Sequence, residues 1–374
     1  MVRTKSWALL LSLFHLYICR TVAGSEGGDK FRTWYPEYRS IFNQILEKSC
    51  AEQYNAYLSD NTSFVGSEFI DDGANTPGEA VVQCILNSTS EFIKANMASA
   101  AVLLGIMPFA LSVLGSDSEE SSLLIVIARR PLLTFLILAG SPVVVALQPF
   151  EYKDPVRQIL SSREPRFRSL NLGPSWFVLL LEYLIAFIAC ANTAHVTYQL
   201  CVSIVTVMWA DSTILPALWV ITGVLVHALG AWCLASRLSV EDSSGTQSLL
   251  QSEFCLSSSK TKKVKTIPER KLFLALSWIV STSTTFHIIF GTLAFSSVQF
   301  ISVKDAFGVI GRYTASVTIC RMVVLYELSG LQQSTKEIQP TLADEVYYTS
   351  LDPEPPKTAS VSPTVVQHTI PDGI

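Results

Sequence analysis

Apolar residues are gathered into blocks long enough to cross a bilayer, and polar residues into the short stretches between them. A crossing needs about 20 mostly apolar residues. Residues 97–115 form the first such block, with Pro108 as a tolerated kink. Residues 131–148 form a second, which follows Arg129-Arg130 and is interrupted by Gly140-Ser141-Pro142. Trp176 to Trp209 is one apolar stretch, too long for an ordinary span, and a turn near Asn192-Thr193-Ala194-His195 divides it into spans at 176–192 and 195–210. Residues 214–235, 272–296 and 306–326 complete the series. The last contains Arg312 and Arg321, placed towards opposite ends where long side chains snorkel.

The pattern predicts an all-α fold, a multi-pass transmembrane helical bundle of about seven spans within residues 97–327, with five or six as alternatives. Seven places the N-terminus outside and the tail inside. The basic loop 236–271 is then cytoplasmic, but Phe150 to Ser175, with five basic residues, falls outside, against the positive-inside tendency. A re-entrant Gly140-Ser141-Pro142 segment with a single long span at Trp176–Trp209 gives five crossings and puts every basic loop inside. Keeping the second span while joining the long stretch gives six, and exposes the lysine cluster outside.

Composition agrees with a membrane protein. Apolar residues make up 49% and charged residues 16% of the 374 residues, and mean hydropathy is +0.37, whereas soluble domains carry about 25% charged residues. A net charge of -4 gives no basic field for nucleic acid. The lipid bilayer is the expected partner, beside a ligand or protein partner that the residues do not name.

The ends differ from the middle. Arg3 and Lys5, the apolar run from Ala8 to Ile18 and small residues at Thr21 to Ser25 predict a signal peptide over 1–24. Residues 25–96 then read as a small acidic helical ectodomain. Trp34, Tyr38, Ile41, Phe42, Ile45 and Leu46 recur on one helix face, and Thr76-Pro77-Gly78-Glu79 opens a second helix with a capping residue and a proline at its first position.

With Cys19 removed, Cys50 and Cys84 are the only cysteines of the ectodomain, and a secretory compartment favours their pairing. Closing that loop constrains the unfolded chain by roughly 3 to 4 kcal/mol. The sequons Asn61-Thr62-Ser63 and Asn87-Ser88-Thr89 fall in the same segment and make Asn61 and Asn87 the candidate glycosylation sites. In the basic loop, Ser243 to Ser259 reads as disordered. Lys260, Lys262, Lys263 and Lys265 follow, as a topology signal or as ligands for anionic lipid headgroups at about 1 kcal/mol per basic residue. Residues 328–374 form an acidic tail, expected to be disordered.

Ionisable residues within spans are costly in lipid, so they are candidates for function. Glu182, His227 and His287 are such residues. His227 shares a helix face with Gly223 and Gly230, and His287 follows a Ser/Thr run, which predicts a polar seam between those two helices. The three either bind an ion, relay protons or contact a ligand, or they serve interhelical hydrogen bonding. No zinc, nucleophile-elbow or nucleotide-binding motif occurs, and the close His-carboxylate pairs of a membrane hydrolase are absent. The expectation is therefore a non-enzymatic protein without cofactor or metal. In outline it is receptor-like or a sensor, with a transporter or channel using the Glu and His residues, or a structural membrane organiser, as alternatives.

Overall fold

A computed structural model describes residues 30–59, 76–145, 174–242, 253–257, 262–266 and 271–336. The signal segment 1–24, Asn61, Lys260, most of the loop 150–175 and the tail beyond Lys336 lie outside the described residues.

The N-terminal helices are α1 (Arg39–Lys48), α2 (Ala51–Leu58) and α3 (Pro77–Asn87). Thr76 caps α3, its Oγ1 accepting from the Glu79 N–H at 3.3 Å, which satisfies one of the donors that a helix start leaves open. Cys50 and Cys84 form a disulfide that ties the start of α2 to α3. Asn87 is exposed at the end of α3. Thr89 of its sequon is buried, its hydroxyl donating to the Ile85 carbonyl at 2.6 Å.

The bundle contains α4 (Glu91–Leu114), α5 (Ser118–Val126), α6 (Pro131–Gly140), α7 (Ser175–Ser203), α8 (Leu215–Arg237), α9 (Lys271–Ser296) and α10 (Val303–Lys336). Among the described residues, α4, α7, α8, α9 and α10 are each long and apolar enough to cross a membrane. Together they mark an integral membrane protein. Large apolar side chains such as Val113, Phe187, Phe286 and Leu293 stay exposed on these helices, as a face against lipid tails requires.

One end of the bundle, here called proximal, carries the N-terminal helices. Phe31, Trp34, Phe42 and Ile85 form one core with Met97, Val205 and Phe300 of the bundle. Trp34 meets the Phe300 ring edge-on at 5.4 Å, and Phe42 meets it at 5.2 Å. The buried Lys30 ammonium donates to the carbonyls of Ala210 at 2.9 Å and Ser212 at 2.6 Å. Burial pulls its pKa down to about 8, against the opposing pull of Asp211. Asp211 in turn accepts from the Gly78 N–H at 3.1 Å, in the first turn of α3. The strands β1 (Val205–Thr206) and β4 (Val298–Gln299) pair antiparallel at this end. At the distal end β2 (Leu238–Asp242) pairs with β3 (Lys262–Thr266), setting Lys263 opposite Glu241 and Lys262 opposite Asp242.

Several expectations are corrected. The stretch 176–210 does not turn at Asn192 to His195: α7 runs unbroken from Ser175 to Ser203, because nothing there breaks a helix and Asn192 and Thr193 bond to neighbouring elements. The block 131–148 yields a helix of ten residues that stops at Gly140, before Pro142, so it is too short to span. Arg312 and Arg321 do not snorkel. Arg312 bonds the side chains of Asn192 and Gln199, both at 2.9 Å, and Arg321 pairs with Glu120, one of its contacts being 2.9 Å. Residues 253–257 of the serine-rich loop are packed, with Glu253, Leu256 and Ser257 buried. The final helix continues to Lys336, into the stretch expected to be disordered.

Candidate functional site

Two backbone interruptions meet inside the bundle. The first follows α4, where Gly115, Ser116 and Asp117 separate it from α5. The second is the non-helical segment Ser141 to Val144 after α6. The two run side by side, with a parallel bridge between Ser116 and Val144. Ser116, Ser141, Val143 and Val144 are all buried, and irregular backbone within a membrane persists only under such cover or beside water. Asp117 caps α5, and a capping box with Glu120 closes that end.

The C-terminal end of α6 and the segment after it leave carbonyls that no helix satisfies. Three of them find side chains from three different helices. Thr193 of α7 donates to the Gly140 carbonyl at 2.8 Å, His287 Nε2 lies 3.1 Å from the Pro142 carbonyl, and His227 Nε2 lies 3.3 Å from the Val143 carbonyl. A carbonyl only accepts, so Nε2 carries the proton in both rings. The opposite nitrogens meet hydroxyls: Nδ1 of His227 lies 2.9 Å from Ser121 Oγ, and Nδ1 of His287 lies 3.0 Å from Thr222 Oγ1.

Those hydroxyls are what make the pair chemically versatile. Ser121 Oγ also lies 3.1 Å from the Ser118 carbonyl, and Thr222 Oγ1 lies 2.9 Å from the Trp219 carbonyl. A hydroxyl has one hydrogen to give. Directed at the imidazole, it leaves a neutral ring; directed at the carbonyl, it accepts from a protonated one. Either protonation state of each ring therefore keeps its hydrogen bonds through a hydroxyl rotation alone. Trp219 stacks on His287 at 5.5 Å with planes 8° apart, which holds the ring in place and offers a π-face to its charged form.

Small residues allow this closeness. A Cβ on Gly223 would stand 1.9 Å from the Pro142 carbonyl oxygen and 3.2 Å from the His287 ring, and one on Gly230 would stand 3.1 Å from the Ser118 Cβ. The expected close-packed face of Gly223, His227 and Gly230 thus meets the helix interruptions, and the polar seam joins α8 to α9 through Thr222 and His287.

Glu182 is elsewhere. It pairs with Arg130 at 2.8 Å towards the distal end, and Glu327 reaches the same Arg130 Nη1 atom at 2.6 Å. Tyr183 lies under the guanidinium, 5.6 Å from ring centroid to Cζ, and donates at 2.6 Å to Glu253, which also accepts from the Leu133 N–H at 3.0 Å. Ser257 bonds Glu327.

Of the three expected residues, the structure brings His227 and His287 to the neighbouring carbonyls of Val143 and Pro142 and assigns Glu182 to a separate ionic cluster. Sequence reasoning missed Ser121, Thr222, Arg130, Glu253 and Glu327. Arg130 read as a membrane-edge residue and Glu327 as the last residue of the transmembrane domain, while Glu253 lay in a loop taken as disordered. The signal available for Arg130 and Glu327 was their place at the ends of apolar blocks, where a charge of opposite sign on another block is a candidate partner. No family model, no curated protein and no solved structure matches the chain.

Proposed function

We propose that the protein is a proton-linked transporter or channel, with its path at the paired helix interruptions. The single observation that carries this reading is the pair of histidines, each held between a carbonyl of interrupted backbone and a rotatable hydroxyl. Discontinuous helices meeting near mid-membrane are the common way in which transporters expose polar groups to a solute. Purified protein in vesicles loaded with a pH-sensitive dye tests it. The expected result is acidification faster than in protein-free vesicles, mostly lost in His227→Phe and His287→Phe variants that keep normal abundance. Wild-type vesicles no faster than empty ones would sink the proposal. Variants that lose folded protein would assign the histidines to packing.

A receptor-like sensor is the second reading, favoured by the disulfide-linked N-terminal helices, which share a core with the bundle and so suit transmission of a binding event. Folded, flux-inactive protein would move the balance to it.

We read the topology as five crossings, with α5 completing the span begun by α4, and α6 re-entrant from the distal side. The proximal end is then lumenal or extracellular and glycosylated, reached through the secretory pathway to the plasma membrane, and every basic loop and the tail are cytoplasmic. A tag placed after Ile374 is expected to stain only after permeabilisation. Staining of intact cells would overturn an odd number of crossings.

A further inference from the structure

We propose that Glu182 and Glu327 share one proton at neutral pH, held beside Arg130 at the distal end of the bundle. This goes beyond the histidine pair and rests on the transport reading only for its role as a coupling site; the proton itself is detectable without any flux.

The groups facing the site come from four elements. Arg130 stands at the turn into α6, Glu182 and Tyr183 come from α7, Tyr326 and Glu327 from α10, and Glu253 and Ser257 from the packed loop segment. Arg129, its neighbour at the turn, is half-buried and has a φ of 53°. Arg130 is 0% exposed, Glu327 1%, Glu253 4% and Glu182 5%. Two carboxylates thus converge on one guanidinium out of reach of solvent, with Glu253 buried nearby on Tyr183. Fully ionised, the two would leave one negative charge that Arg130 does not balance, and a buried group in that position neutralises instead.

The hydrogen bonds identify where the proton sits. Glu253 accepts from the Leu133 N–H and the Tyr183 hydroxyl, not from Arg130. Glu182 and Glu327 instead converge on a single nitrogen, so their bound oxygens lie within 5.4 Å of each other, the sum of the two distances to it. Two carboxylates at such range do not both ionise readily. The guanidinium does not answer them with a two-pronged fork: its Nε and Nη2 are buried without a hydrogen-bond partner among the described residues, and so is Glu182 Oε1. Glu182 therefore keeps an open oxygen next to the second carboxylate. A proton there removes the like-charge conflict and leaves Arg130 one net counter-ion.

Infrared difference spectroscopy on the reconstituted full-length protein tests the assignment. At neutral pH a protonated-carboxyl C=O stretch is expected, which moves on deuterium exchange and disappears as pH is raised. It should be absent from the Glu182→Gln/Glu327→Gln variant and retained in Glu253→Gln. Should the double variant fail to fold, Glu182→Asp keeps a carboxyl and is expected to shift the band. Wild-type protein without the band at neutral pH, a band surviving in the folded double variant, or one unmoved by Glu182→Asp would overturn the proposal. A missing band with intact proton flux would remove this site alone. A band present without flux would leave the proton in place and remove the transport reading.

Discussion

Arg130→Met should sharply reduce the yield of folded protein, at a cost of about 3 to 5 kcal/mol, because it removes the cation between Glu182 and Glu327 and leaves a buried carboxylate without its counter-ion. The Tyr183 ring would lose its guanidinium contact as well. The reason lies in the asymmetry of buried ion pairs: taking charges out of water is expensive, and only the partner offsets it. Removing all three side chains together is a different experiment. Arg130→Met/Glu182→Leu/Glu327→Leu replaces the cluster with apolar side chains of similar bulk, which in other buried clusters is neutral or stabilising. The expected order of folded yield, measured by detergent-extracted size-exclusion chromatography, is wild type close to the triple variant and well above Arg130→Met. A single variant as abundant as wild type would mean that the cluster contributes little to the fold.

Gly223→Ala should be the most damaging single-methyl change in the bundle. Its new Cβ would stand 1.9 Å from the Pro142 carbonyl oxygen, the acceptor of the His287 N–H. Backbone cannot rotate away as a side chain can, so α8 or the interrupted segment must move. Overpacking of this kind costs typically about 1 to 3 kcal/mol, and more where main chain is struck. The displacement would also lengthen the His287 bond, so vesicles holding the folded fraction should show reduced proton flux. Gly308→Ala is the matched control, since a Cβ there meets nothing within 4 Å. Equal thermal stability of the two variants would contradict the tight approach of α8 to the helix interruption.

Local chemistry made much of the architecture legible. Thr76 and Pro77 announced the start of α3, and the apolar blocks located α4, α8, α9 and α10. Cys50 and Cys84 were paired correctly because only two cysteines remained in that segment. Errors arose where apolar length had to be divided into crossings. The run from Trp176 to Trp209 contains neither proline nor glycine, and hydropathy alone does not distinguish two short helices from one long helix that extends past the bilayer. The residues of the candidate site were half legible. His227 and His287 stood out because an imidazole in an apolar run demands a partner. Nothing local connected Glu182 with Glu327, which are far apart in the chain.

The sequence by itself determined that this is a helical membrane protein with a disulfide-linked N-terminal segment, because burial in lipid constrains composition over every 20-residue window and two cysteines have only one way to pair. Tertiary structure alone decided that α5 and α6 stop short inside the bundle, that two histidines satisfy the carbonyls exposed there, and that one arginine sits between two glutamates. The physical reason is that an unsatisfied carbonyl or a buried charge is stabilised by whichever group packing brings within about 3 Å, and that group comes from another helix at a distance along the chain that no local pattern records.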